Sequence, residues 1–329
     1  MNWKEKITET ISTKFQNRNV LVIGDLMVDE YVFGKVSRIS PEAPVPVLDY
    51  KEKKFVAGGA CNVANNLKTL GANVFIAGVA AYDNPGIWLR DYLGKLDINV
   101  SCIIEEKNRP TTLKTRFAVK GQQLLRVDYE VTNCITEETQ KKIMNYVNES
   151  IDFIDAIIIS DYTKGVFYDP KFVEEIISLC RNNQILVVVD SKSKGIQAFA
   201  GADFVKPNNL ELEAAVGIMI TDDKSLNMAG EKYLSLSGAK ALIVTRGSNG
   251  ISVFEPGLNR VDYPAKNVQV FDVCGAGDTV ISTITLGMCS GLPISDAVRM
   301  ANLAAGIVIS QVGTVAVTYK ELIESINEE

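Results

Sequence analysis

Histidine is absent from this chain of 329 residues. That removes Ser-His-Asp and Cys-His catalysis, histidine-bound zinc and every imidazole acid-base scheme. Chemistry is left to carboxylates, lysines, backbone amides and hard metal ions. The six cysteines, at 61, 102, 134, 180, 274 and 289, include no Cys-x-x-Cys pair. Neither a zinc knuckle nor a disulfide framework is indicated, and the thiols read as reduced. There is no basic tract and the formal net charge is -6, which argues against nucleic acid or an anionic membrane as main partner. The apolar runs at 20–23, 156–159, 185–189 and 241–244 are far too short to cross a bilayer. Trp3-Lys4-Glu5-Lys6 is followed by no apolar stretch of signal-peptide length, so the expected compartment is the cytoplasm. Two phosphate-binding fingerprints are missing as well. No Gly-x-x-x-x-Gly-Lys-Ser/Thr occurs, and Gly24-Asp25-Leu26-Met27 stands where a dinucleotide fingerprint would follow the first strand.

What is present is ordinary for a soluble globular protein, with 47% hydrophobic and 22% charged residues. The short apolar runs suit strands buried on both faces, and between them lie segments of helical period. The pattern predicts helices near 3–16, 85–96, 170–182, 276–290 and 294–310, in an α/β fold with a mainly parallel sheet. Two stretches, about 30–56 and 99–130, are instead strand-rich and broken by Pro41, Pro44 and Pro46 in the first. They are expected to form a small β lid.

Polar residues recur where the strands end. Asp25 and Asp29 follow the first strand; Asp161 and Lys164 follow 155–159; Lys192 follows 185–189; Thr245, Gly247 and Gly250 close 240–245. A series of this kind describes the rim of one crevice, since ligands of parallel sheets collect at the carboxyl ends of strands. Either aspartate of the first pair reads equally as a turn residue. Gly58 and Gly59 open a helix carrying Asn62, and small residues there permit close approach of a ligand. Asn208 and Glu211, three apart, suit oxygen ligation of hydrated magnesium or, equally, a helix capping box. Lys114, Arg116 and Arg126 lie in lid strands, either solvated or placed to take an anionic substrate. The most informative stretch runs from strand-like Val270-Phe271 through Asp272 and Cys274 to Gly275-Ala276-Gly277-Asp278. A glycine turn opening a helix offers unpaired amides and the positive end of a dipole to a phosphate, and Asp278 falls in the first turn as a candidate base.

Gly58-Gly59-Ala60-Cys61-Asn62 and Asp272 to Asp278, with Asn208-Asn209-Leu210-Glu211, Thr245-Arg246-Gly247 and Asn302, resemble the signatures of the ribokinase/PfkB sugar kinases over about 18–318. Residues 37–47 and 122–128 look like the branch that serves as the kinase half of bifunctional ADP-heptose synthases. The resemblance implies a single ribokinase-like three-layer αβα domain over 1–329, and no nucleotidyltransferase domain is recognised. It implies transfer of the γ-phosphate of ATP, with Mg2+, to a phosphorylated sugar, and leaves a monovalent-cation requirement open. Asp278 would be the base and Gly275, Ala276 and Gly277 the anion hole. Asp25, Asp29, Arg38, Gly58, Gly59, Asn62, Lys114, Arg116, Arg126, Asp161, Lys164 and Asp272 would line the sugar site. Lys192, Asn208, Glu211, Thr245, Gly247, Gly250 and Asn302 would line the ATP site, Asn208 and Glu211 reaching the metal through water. A homodimer through the lid and a separate downstream nucleotidyltransferase are further expectations. Cys274 departs from the hydroxyl or small apolar residue common at its position.

Overall fold

A computed structural model describes residues 2–119, 121–192, 195–311 and 313–329. Helix α1 (Trp3–Lys14) leads into β1 (Asn19–Gly24), then the long hairpin β2 (Leu26–Ile39) and β3 (Pro46–Gly59). After α2 (Ala60–Thr69) come β4 (Asn73–Val79), α3 (Asn84–Lys95), β5 (Asn99–Ile104), β6 (Thr112–Val119) and β7 (Gln122–Tyr129). The regular alternation follows: α4 (Glu137–Ser150), β8 (Ala156–Asp161), α5 (Pro170–Asn182), β9 (Leu186–Ser191), β10 (Phe204–Val205), α6 (Asn209–Val216), α7 (Asp223–Ser237) and β11 (Ala241–Thr245). Strands β12 (Ile251–Phe254) and β13 (Val261–Tyr263) and helices α8 (Ala276–Cys289), α9 (Ile294–Ile309) and α10 (Tyr319–Glu328) complete the chain.

The main sheet has nine strands in the order β13-β12-β11-β10-β9-β8-β1-β4-β5. All pair in parallel except β12 and β13, which return antiparallel at one edge. Side chains of a strand alternate between faces, and this divides the core in two. Val20 and Val22 of β1 pack in the cluster with α1, α2, α8, α9 and α10, whereas Leu21 and Ile23 join α4, α5, α6 and α7 on the other face. Continuous apolar runs such as Ile157-Ile158-Ile159, all fully buried, are what a doubly covered parallel sheet requires. The expected three-layer αβα core is observed.

A second, four-stranded sheet, β3-β2-β6-β7, forms the lid. Its extent corrects the expectation: β5, inside the segment 99–130, pairs with β4 at the edge of the main sheet, so the lid comprises 26–59 and 112–129. A strand was also expected at Val270-Phe271. These residues are irregular and exposed, held instead by the Phe271 and Asp272 amides donating to the Ile309 carbonyl at the end of α9. Among the described residues no helix is long and apolar enough to cross a membrane.

Candidate active site

The carboxyl ends of β1, β8, β9, β10 and β11 open on one side of the sheet, and the first turns of α2 and α8 converge on the same place. Cys274 N donates to Asp272 Oδ1 at 2.9 Å, which folds the chain into Gly275, the N-cap of α8. Gly275 has φ of +82°, and a Cβ there would lie 2.9 Å from Asn62 Nδ2. Both the conformation and the approach need glycine. Thr279 Oγ1 donates to Asn66 Oδ1 at 2.8 Å and fastens α8 to α2.

Asp278, in the first turn of α8 and buried, accepts from Asn62 Nδ2 on Oδ2 and from Tyr162 Oη on Oδ1, each at 2.7 Å. Burial raises its pKa above the carboxylate range and the nearby charge of Asp190 raises it further, while Asn62, Tyr162 and Lys206 pull it back. Tyr162 is pushed well above an ordinary phenol by burial and then by Asp278, so it is the neutral donor. Facing this carboxylate is Lys206, only 2% exposed. Its Nζ lies 3.4 Å from where a Gly277 Cβ would stand and 3.0 Å from Asp190 Oδ2. That contact is an ion pair by distance but lacks hydrogen-bond angles. A buried ammonium beside the amides of a helix N-terminus is a site for developing phosphate charge.

On the nucleotide side, Lys192 Nζ pairs with Glu211 Oε1 at 2.7 Å and Asp190 Oδ1 at 3.4 Å. Burial lowers the Lys192 pKa, but Asp190 and Glu211 together outweigh it and hold it above the usual lysine range. Glu211 N donates to Asn208 Oδ1 and Asn208 N to Glu211 Oε2, at 2.9 and 2.8 Å, which is a reciprocal capping box on α6. Thr245 N donates to the Pro207 carbonyl. Gly247 and Gly250 take φ of +56° and +80° in the tight turn after β11, and a Cβ on Gly250 would strike the Tyr263 carbonyl. Asn302 Nδ2 donates to Pro264 O at 2.5 Å, tying α9 to the segment that leads to the glycine turn.

Residues 17–320 match the family model of the pfkB family carbohydrate kinases. This chain is a pfkB-family carbohydrate kinase. It is 42% identical over 309 residues to the bifunctional protein HldE of Geobacter sulfurreducens, covering 94% of this chain and 63% of that protein. The chain thus spans less than two thirds of that relative's length. Among solved structures, ribokinase of Arabidopsis thaliana complexed with ribose and ATP superposes with a TM-score of 0.76 at 17% identity, covering 94% of this chain and 98% of that one. Phosphofructokinase-2 of Escherichia coli in complex with potassium gives 0.78 at 21%, with the same coverage. These likenesses establish the ribokinase-like fold.

Within this kinase several expected ligand residues do other work. Asp25 is buried, and it accepts from the amides of Tyr162, Lys164 and Val166 at 2.8, 3.0 and 3.4 Å. It is a loop anchor rather than a group free to hold sugar. Asp161, also buried, accepts from Thr163 N at 2.8 Å and Ser191 Oγ at 2.6 Å and serves the same loop. Arg38 is exposed near the far end of the hairpin, paired with Val47. It lies nine residues of strand beyond Asp29, up to roughly 30 Å along the hairpin.

Four of the basic residues expected at the sugar site, Lys114, Arg116, Arg126 and Lys164, are engaged with carboxylates. Arg116 pairs with Asp29 at 2.5 Å, Arg126 with Asp128 at 2.8 Å, Lys114 with Asp128 and Glu130 at 3.1 Å each, and Lys164 with Glu130 at 2.7 Å. Gly58 and Gly59 lie beneath them, and a Cβ on Gly58 would stand 2.7 Å from Asp29 Oδ2. Arg116 also stacks over Tyr31, 5.4 Å from the ring centroid. Tyr31, Tyr162, Asp190 and Lys206 were not singled out from sequence. Lys206 and Asp190 carry one available signal, a strongly polar residue directly after a buried apolar run.

For magnesium, no cluster of three or more His, Cys, Asp or Glu able to hold a metal occurs among the described residues. Asn208 Oδ1 and both Glu211 oxygens already have partners, but a carboxylate offers about four acceptor positions, so Glu211 keeps capacity for a metal-bound water. The residues fit an outer role, not direct ligation.

Proposed function

We propose that this kinase transfers the γ-phosphate of ATP to O1 of D-glycero-β-D-manno-heptose 7-phosphate, giving the 1,7-bisphosphate. The observation that carries the transfer chemistry is Asp278 at the start of α8, hydrogen-bonded by Asn62 and Tyr162 and bordered by Lys206 and the Gly275–Gly277 turn. The sugar hydroxyl gives its proton to the Asp278 carboxylate as its oxygen bonds the γ-phosphorus. The bond from that phosphorus to the β,γ-bridging oxygen breaks and ADP departs. Phosphoryl transfer needs positioning and charge neutralisation more than a strong base, which is why histidine can be absent. Lys206 and the first amides of α8 face the transferring group, and Lys192 stands beside them. Mg2+ bound with ATP would supply further charge neutralisation, its waters held by Glu211 and Asn208.

The choice of a phosphorylated heptose is supported by the resemblance of 37–47 and 122–128 to heptose-phosphate kinases and by the relation to bifunctional protein HldE. Lys114, Arg116, Arg126 and Lys164 supply cations to the proposed sugar site, each paired with Asp29, Asp128 or Glu130, and a sugar phosphate would compete with those carboxylates for them. The same relation makes a downstream nucleotidyltransferase step, fused or separate, part of the proposal, as is a homodimer through the lid.

The deciding experiment is ATP turnover against heptose 7-phosphate, free heptose, and phosphorylated and free hexoses and pentoses. Charge-assisted contacts are worth about 1.5–3 kcal/mol each, so one or two lost with the phosphate should lower kcat/KM by roughly one to four orders of magnitude. Equal efficiency with free heptose would return the enzyme to the unspecialised sugar kinases. Asp278→Asn is expected to abolish turnover with any sugar while ATP affinity stays within a few-fold.

A further inference from the structure

The loop after β8 is braced more heavily than a rim loop needs. Asp25 takes three of its amides, and Asp161 takes a fourth together with the Ser191 hydroxyl. Thr163 is held at φ of +56° and Gly165 at +102°, where a Cβ on Gly165 would strike the Asn133 carbonyl. Two buried carboxylates are thereby committed to the path of a five-residue loop. That path buries Val166 in the core and delivers one polar group to the catalytic carboxylate, the Tyr162 hydroxyl, 2.7 Å from Asp278 Oδ1.

We propose that Tyr162 is the positioning residue for the catalytic carboxylate: its hydroxyl and the Asn62 amide, arriving from different elements, fix Asp278 through one donor on each oxygen. The inference rests on Asp278 being the base, as in the proposed function. The terminal torsion of an aspartate is soft, so an unheld carboxylate would sweep a wide arc in front of the glycine turn. With one donor on each oxygen the plane is set. Each oxygen still keeps an acceptor position, so the sugar hydroxyl approaches without displacing the phenol. The charged groups facing Asp278 are Asp190 and Lys192 at the end of β9 and Lys206 after β10, but among the described residues only Asn62 and Tyr162 donate to it directly. Hydrogen bonds to the ionised form favour it, so the phenol also keeps the base deprotonated against burial and Asp190. The Lys192 ammonium, 5.6 Å from the Tyr162 ring centroid, lies over the ring, linking the positioning residue to the nucleotide side.

The test is Tyr162→Phe, which keeps the ring and removes the donor. Asp278 is titrated by carboxyl 13C NMR on protein labelled at aspartate, its resonance assigned by its loss in Asp278→Asn. The pKa of Asp278 is expected to rise in the variant. In steady-state assays kcat should fall by about tenfold to a hundredfold, the value of one charge-assisted hydrogen bond, with KM for ATP within about twofold. The acid limb of kcat should move to higher pH, both enzymes being compared with the same sugar so that titration of the substrate is shared. An unmoved Asp278 titration, or a fall in kcat with the acid limb in place, would overturn the proposal. The NMR titration uses no sugar, so it decides the role of Tyr162 even where the substrate assignment fails.

Discussion

Asp25 and Asp278 are both buried aspartates whose pKa values are raised first of all by burial, yet they do different work. Asp278 stands where a phosphate acceptor would be activated, and Asp25 holds a loop. The difference lies in their donors: Asp25 faces backbone amides, which cannot move aside for a ligand. Its pKa is raised from 3.8 to about 6 despite them, with Asp161 adding to the effect of burial. The native state therefore holds this proton more tightly than the unfolded chain, so stability from this group is intact below about pH 3.8 and falls away as pH rises through about 6. The loss amounts to about 3 kcal/mol. Urea unfolding midpoints measured from pH 4 to 7 should show that decline in the wild type, and Asp25→Asn, though less stable throughout, should have a flatter dependence. Identical slopes would mean that Asp25 does not titrate in this window.

Helices α2, α6 and α8 each present a first turn to the crevice, and each solves its unpaired amides differently. Gly59 opens α2 and Gly275 opens α8, neither with a side-chain cap; the Ala60 and Ala276 amides donate instead to the Asp25 and Val273 carbonyls. Helix α6 is closed by its own Asn208–Glu211 box. Glu211 thus serves the helix, the Lys192 ion pair and, in the proposed function, a magnesium-bound water. Glu211→Gln keeps the shape and weakens all three. The expected result is a stability loss of about 1 kcal/mol and a several-fold rise in the Mg2+ concentration giving half-maximal rate. A magnesium titration that superposes on that of the wild type, with the stability loss present, would reduce the pair to a helix cap.

At the scale of the whole molecule, the lid projects from the core as a sheet with two open edges, β3 and β7. It carries Ile39, Tyr50, Leu125 and Tyr129 exposed, an apolar supply unusual for a solvated sheet. Open edges and exposed apolar side chains are commonly covered by a two-fold copy. The proposed dimer predicts a particle of twice the 36.0 kDa chain mass in light scattering at micromolar concentration, and Leu125→Glu should shift it toward the monomer. A monomeric wild type would remove the dimer.

The sequence by itself determined the layered core, because buried parallel strands and amphipathic helices write their periods directly into the order of residues. It also determined the glycine turn and Asp278, because positive φ, close approach and a first-turn carboxylate are local requirements met within a few residues. It left open whether Asn208 and Glu211 cap a helix, whether Asp25 holds a ligand and whether the lid's arginines and lysines are unpaired. Those outcomes depend on partners distant in the chain. Asp25 meets Tyr162, Lys164 and Val166, Asp29 meets Arg116, and Tyr162 meets Asp278, 116 residues away. Only the tertiary structure decides such pairs, because a side chain's role is set by which donors the fold brings within hydrogen-bond reach, and sequence spacing carries no record of that distance.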